Sequence, residues 1–218
     1  MTGELPVYDE PGVAILVEVS AALAARNVRA LDAALARAAA ECELEQVEEA
    51  LLQSHLFLGY PAALTALTRW RSFAHAAASE RDDLATPERV DAWTGRGEQI
   101  CERVYGRAYE KLRANVARIH PAMDRWMVTE GYGKVLGRPG LDLRTRELCI
   151  VATLAATGWE PQLHSHLRGA LHAGAGPQEI EAALEAGLRY AGTGFAAAAR
   201  ALWRRVVDAH GSGVPGVR

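Results

Sequence analysis

Apolar residues recur three and four positions apart along most of this chain and never alternate over a sustained stretch, which predicts an all-α protein. The clearest helices follow Asp142, whose carboxylate suits an N-cap because it accepts from backbone N–H groups left unpaired at a helix start. Leu148, Val151, Ala152, Leu154 and Ala155 then form an apolar stripe that runs to Gly158. A second helix is predicted from Pro161, with Leu163, Leu167, Ala170 and Leu171 on its apolar face and Gly174 and Gly176 at its end. Pro177 opens a third, with Ile180, Ala183, Leu184, Gly187 and Leu188 inward and Glu179, Glu181 and Glu185 outward.

Upstream the same reasoning predicts an extended arm over residues 1 to 11 and alanine-rich helix from Gly12 to about Ala40, broken near Asn27. A helix from Glu43 to Leu58 closes at Gly59, and another runs from Pro61 to about Ala78. The polar stretch Ser79 to Asp83 reads as a loop, and Thr86-Pro87 as a cap with a first-turn proline. A long helix is predicted from Gly97 to Ile119. His120-Pro121 ends it, because a residue before proline avoids the helical region. One more helix, from Ala122 to about Leu136, leads through the turn Gly137 to Gly140 back to Asp142.

The chain also resembles itself. At a shift of 133 residues Glu48 meets Glu181, Ala50 meets Ala183, Leu51 meets Leu184, Gly59 meets Gly192, and Ala63 and Ala66 meet Ala196 and Ala199. Identities at a single shift, with a helix-ending glycine among them, point to two copies of one helical unit. Residues 1–85 form the first copy, 86–210 the second, and 211–218 a flexible tail. The shift places Ala14 opposite Glu147 and Ala33 opposite His166, so the first copy carries the scaffold without those two groups.

Composition narrows the possible roles. A chain of 218 residues that is 50% hydrophobic buries a substantial core. The net charge of −3, without long like-charge blocks, implies neither a nucleic-acid nor a membrane partner. No apolar run approaches the roughly 18 residues of a membrane span, and acidic residues stand near Met1 where a signal peptide would be basic, so a cytoplasmic location is expected. The three cysteines, Cys42, Cys101 and Cys149, form no CxxC pair and no zinc-like spacing, so they are expected as reduced thiols and no metal site is expected.

RPGLDLRTREL (138–148), QLHSHLRGAL (162–171) and the acidic helix ending in YAG (190–192) resemble the carboxymuconolactone decarboxylases and their relatives, the alkylhydroperoxidase D proteins. The resemblance covers Gly97 to about Trp203 well and the first copy weakly. It implies an alkylhydroperoxidase D-like helical bundle that assembles as a homo-oligomer, a trimer of two-copy chains or a hexamer-like arrangement of repeats. It further implies a small-molecule substrate, no cofactor, and a catalytic pair made by a glutamate and a histidine nineteen residues apart, which Glu147 and His166 match. The peroxidase branch places two cysteines between them, at the positions of Trp159 and Gln162 here. Thiol-based peroxide reduction needs an attacking thiolate and a resolving partner, so the resemblance favours the decarboxylase branch. That branch removes CO₂ from a small lactone acid in aromatic-compound catabolism.

Spacing alone leaves Glu147 and His166 offset: about 15 Å of helix lies before the turn and about 7 Å after it. Helix crossing or a wider bend must bring them together. Candidate pocket residues are Trp159, Gln162, His164 and Arg168, with Cys149 near the site and His55 reaching in from the first copy. Arg144 and Arg146 are further candidate anchors for a substrate carboxylate. The chain departs from the decarboxylase pattern at Val104-Tyr105-Gly106, which is followed by Tyr109, Glu110 and Lys111. A non-catalytic assembly module on the same fold is the alternative outside enzymology.

Overall fold

The structure is a computed structural model in which residues 7–74, 86 and 89–211 are described. The predicted arm up to residue 6, the loop at 79–83, the Pro87 cap and the tail from 212 lie outside the described residues. Four helices come first: α1 (Pro11–Ala24), α2 (Val28–Glu41), α3 (Leu44–Gln53) and α4 (His55–Ala74). Next come α5 (Val90–Tyr105), a 3-10 turn at Gly106–Ala108, α6 (Tyr109–Ile119) and α7 (Pro121–Trp126), which continues as a π-helical segment over Met127–Leu136. The chain ends in α8 (Leu143–Thr157), α9 (Glu160–Ala173), α10 (Pro177–Leu188) and α11 (Thr193–Gly211). No strand occurs among the described residues, which form an all-α bundle as expected.

Caps fix where these helices start. Asn27 accepts from the Ala30 N–H at 3.1 Å, and Asp142 accepts from the Thr145 N–H at 3.0 Å. The His120 ring accepts from the Ala122 N–H at 3.1 Å. At a shift of 133 residues, α1 to α3 begin within one residue of α8 to α10, and the kink at Gly59 falls on Gly192, just before α11.

α1 and α8 lie against each other in the interior, with α2 on α1 and with α9 and α10 on α8. α8 is buried continuously from Thr145 to Ala155, so the predicted apolar stripe is in fact a helix enclosed on every side. Both halves of the chain feed one continuous hydrophobic core, in which Ile15, Leu16 and Leu51 sit with Leu148, Leu163 and Leu184.

The helix predicted from Gly97 to Ile119 begins earlier, at Val90, and breaks at Gly106. Gly106 has φ 52° and ψ −128°, a backbone state that residues with a Cβ avoid, and it turns α6 away from the α5 axis. Ile119, at the end of α6, is 82% exposed. Arg113 closes the α6–α7 corner by donating to both oxygens of Asp124 and to the Tyr109 hydroxyl.

Two of the candidate carboxylate anchors belong to the scaffold instead. Arg146 is wholly buried on α8, and it donates to Glu49 Oε2 at 2.8 Å, Gln53 Oε1 at 3.2 Å, Leu141 O at 3.0 Å and Arg138 O at 3.1 Å. Glu49 and Gln53 stand on α3, so this cluster ties the first half of the chain to the second, and Arg138 adds a second guanidinium on Glu49 at 2.8 Å. Arg144 pairs with Glu179 and with Asp9. Glu179 is therefore buried rather than outward, and its carboxylate also accepts from the Gly176 N–H at 2.8 Å. Replacing Glu49 with Ala leaves the Arg146 charge buried and unpaired, which costs about 3–5 kcal/mol. Urea unfolding should show that loss, and a change below about 1 kcal/mol would remove the cluster from the stability argument.

Candidate active site

The local sequence around α8 and α9 sets two side chains face to face. Asp142 fixes the phase of α8, which puts Glu147 on the side facing α9. Gly158 ends α8, and Pro161 in the first turn of α9 starts the return helix. His166 Nδ1 lies 2.8 Å from Glu147 Oε2. The carboxylate can only accept, so Nδ1–H donates and the second nitrogen, Nε2, keeps either a lone pair or a second proton. Nε2 makes no hydrogen bond to the described residues. Glu147 is 0% exposed and His166 6%.

The expected offset between the two residues is closed by a missing side chain. A Cβ on Gly169 would sit 2.8 Å from Glu147 Oε2 and 2.8 Å from Val104 Cγ1, so the glycine lets the carboxylate lie against α9 within reach of His166 one turn earlier without either side chain shifting. Phe57 from α4 completes the enclosure, its ring meeting the His166 ring edge-on at 5.6 Å between centroids. Glu147 Oε1 is buried and has no hydrogen-bond partner among the described residues. Near it, the Tyr132 hydroxyl donates to that of Tyr105 at 3.1 Å. Burial, with the Glu147 charge adding to it, pushes both phenols upward, so both stay protonated.

A cavity of about 170 Å³ opens on a different face of α9. His164, Ser165, Arg168 and His172 line it from α9, and Val104, Tyr105, Ala108, Lys111, Leu112 and Asn115 line it from the α5–α6 bend. Neither His166 nor Glu147 is among the lining residues. Of the candidate pocket residues, His164 and Arg168 line this cavity, and burial together with Arg168 and Arg205 lowers the His164 pKa.

The remaining candidates lie elsewhere. Trp159 is 59% exposed at the start of α9 and Gln162 is exposed one turn on, so neither walls the cavity. Cys149 is two residues from Glu147 and so turns to another side of α8, buried toward Ser20 and Tyr8. The His55 ring bonds the Leu52 carbonyl at 2.7 Å and lies against Tyr60, while Phe57, two residues on, is the first-half residue that meets His166. Sequence reasoning missed Phe57, Tyr105, Tyr132 and Lys111. The departure from the decarboxylase pattern at Val104 to Lys111 was the signal for two of them, since that stretch forms the cavity wall. No group of His, Cys, Asp and Glu able to hold a metal ion is found among the described residues.

An all-α bundle enclosing one imidazole–carboxylate pair, with no thiol pair beside it, is the class of protein that fold and site define. Residues 121–205, a segment that contains both Glu147 and His166, match the carboxymuconolactone decarboxylase family. The chain is also similar to Peroxisomal protein 2 of Schizosaccharomyces pombe, at 26% identity over 140 residues, 63% of this chain and 65% of that protein. It thus spans about two thirds of the length of that relative. No described helix is long and apolar enough to cross a membrane.

Burial pushes the Cys101 and Cys149 thiols up to about 12, and Cys42 upward by less, with only Cys42 part-exposed. A raised pKa leaves less thiolate at a given pH, so alkylation of the folded protein at pH 8 should label Cys42 alone, and all three cysteines after denaturation. Fast native labelling of Cys101 or Cys149 would contradict this, as mass spectrometry can show. Replacing Gly169 with Ala should destabilise the fold by about 1–3 kcal/mol through overpacking against Glu147, read as a lower urea midpoint.

Proposed function

We propose that this protein is an acid–base enzyme that removes CO₂ from a small lactone carboxylic acid without a cofactor. The observation that carries the reading is the 2.8 Å bond between His166 Nδ1 and Glu147 Oε2 in a buried setting, with Nε2 left uncommitted. In the proposed step the bond between the carboxylate and its carbon breaks, its electron pair moves into the lactone carbonyl, and CO₂ leaves a dienolate. His166, as imidazolium, returns a proton to carbon from Nε2 and is reprotonated by water, while Glu147 holds the ring and offsets its positive charge.

Peroxide reduction is the disfavoured alternative. It needs two thiols in exchange distance, and Trp159 and Gln162 stand where that pair would lie. Cys101 and Cys149 are buried, and their high pKa holds them as thiols. A non-catalytic assembly module is the second reading, favoured by the small exposure of His166 and by a cavity that does not reach it. On the family likeness we also propose a homotrimer, which light scattering showing a monomer at micromolar concentration would overturn.

Replacing His166 with Gln should lower CO₂ release from small lactone acids by about 10²–10⁴-fold, and Glu147→Gln by roughly tenfold or more, with helical circular dichroism unchanged. Undiminished release by the His166 variant would remove the imidazole from the mechanism. Release at the background rate in both wild type and variant would favour the assembly reading, and hydroperoxide turnover that survives cysteine alkylation would leave the thiol route without support.

A further inference from the structure

The break at Gly106 builds a second feature. α5 stops there, α6 leaves at an angle, and α9 closes the third side of the bend around the cavity of about 170 Å³. An engineered cavity of about 150 Å³ is known to hold benzene, so this one has room for roughly six to ten heavy atoms of a ligand.

The walls of the cavity differ in chemistry. Val104, Ala108, Leu112 and Tyr105 supply apolar surface, while Lys111, Arg168, His164 and Asn115 supply polar groups, with no carboxylate among the lining residues. Lys111 and Arg168 form no ion pair with the described residues. His172 also lines the space, with its Nδ1–H committed to the Val104 carbonyl at 2.7 Å. Two unpaired cations facing one small cavity repel each other and attract an anion, and a guanidinium matches a carboxylate in geometry as well as charge. Inorganic phosphate would satisfy the cations and leave the apolar wall unused.

We infer that this cavity binds a small organic carboxylate with an apolar body, its acid group held by Arg168 and Lys111 and its body against Val104, Ala108 and Leu112. Neither His166 nor Glu147 lines this cavity, although its wall residue Val104 stands between it and Glu147, and the inference does not rest on the reaction proposed for that pair.

The test uses the full chain and isothermal titration calorimetry, with benzoate as the probe. Benzyl alcohol, benzylamine and inorganic phosphate serve as neutral, cationic and compact controls. A ligand of this size binds in roughly the millimolar range at ordinary ligand efficiency. Benzoate should bind at least about tenfold more tightly than any control. Arg168→Met and Lys111→Met, which keep the apolar stem of each side chain, should each weaken benzoate by about tenfold without moving the urea midpoint. His166→Gln should bind benzoate like the wild type. Equal affinity for benzyl alcohol or phosphate, unchanged benzoate affinity in both charge-removing variants, or no benzoate binding at about 50 mM would overturn the inference. Loss of binding in His166→Gln would overturn the separateness of the site, whatever that variant does to CO₂ release.

Discussion

A helix closed in on every side has no solvent to hydrate its charges, and α8 carries two of them next to each other. Arg146 and Glu147 are both fully buried, and consecutive helical positions point about 100° apart, so each needs its own partner. Arg146 reaches back to Glu49 and Gln53 on α3, and Glu147 reaches across to His166 on α9. Leaving either charge without its partner inside the core would cost several kcal/mol, a large part of the stability of a small domain. One constraint therefore produces both the tie between the two halves of the chain and the imidazole–carboxylate pair.

The first half shows what the same helix looks like without that demand. At the 133-residue shift the sequence of α1 aligns with that of α8, with Val13 and Ala14 at the positions of Arg146 and Glu147. α1 is almost wholly apolar and packs without internal ion pairs. The first half still serves the second, supplying Glu49 and Gln53 to Arg146 and Phe57 to the face of His166.

Site and cavity use one helix in two directions. His166 and Gly169 turn toward α8, whereas His164, Arg168 and His172 turn toward the α5–α6 bend, as spacings of four along a helix require. α9 can thus present a closed acid–base pair and a cationic pocket without either set of residues belonging to the other.

Helix existence and most helix starts were legible in the sequence, because caps, prolines and apolar spacing act over three or four residues. So was the identity of the residue pair, through the resemblance that Glu147 and His166 carry. Tertiary structure alone decided that the two touch, since the contact depends on the missing side chain at Gly169 and on the crossing of α8 and α9. It also decided that Arg146 is structural and Glu179 inward: a pattern of polar positions gives their place along a helix, and a charge turns inward only where a partner from a distant segment awaits it. The break at Gly106 escaped the apolar periodicity because the spacing on either side stays helical, and the cavity that follows from the break exists only once α9 has folded across it.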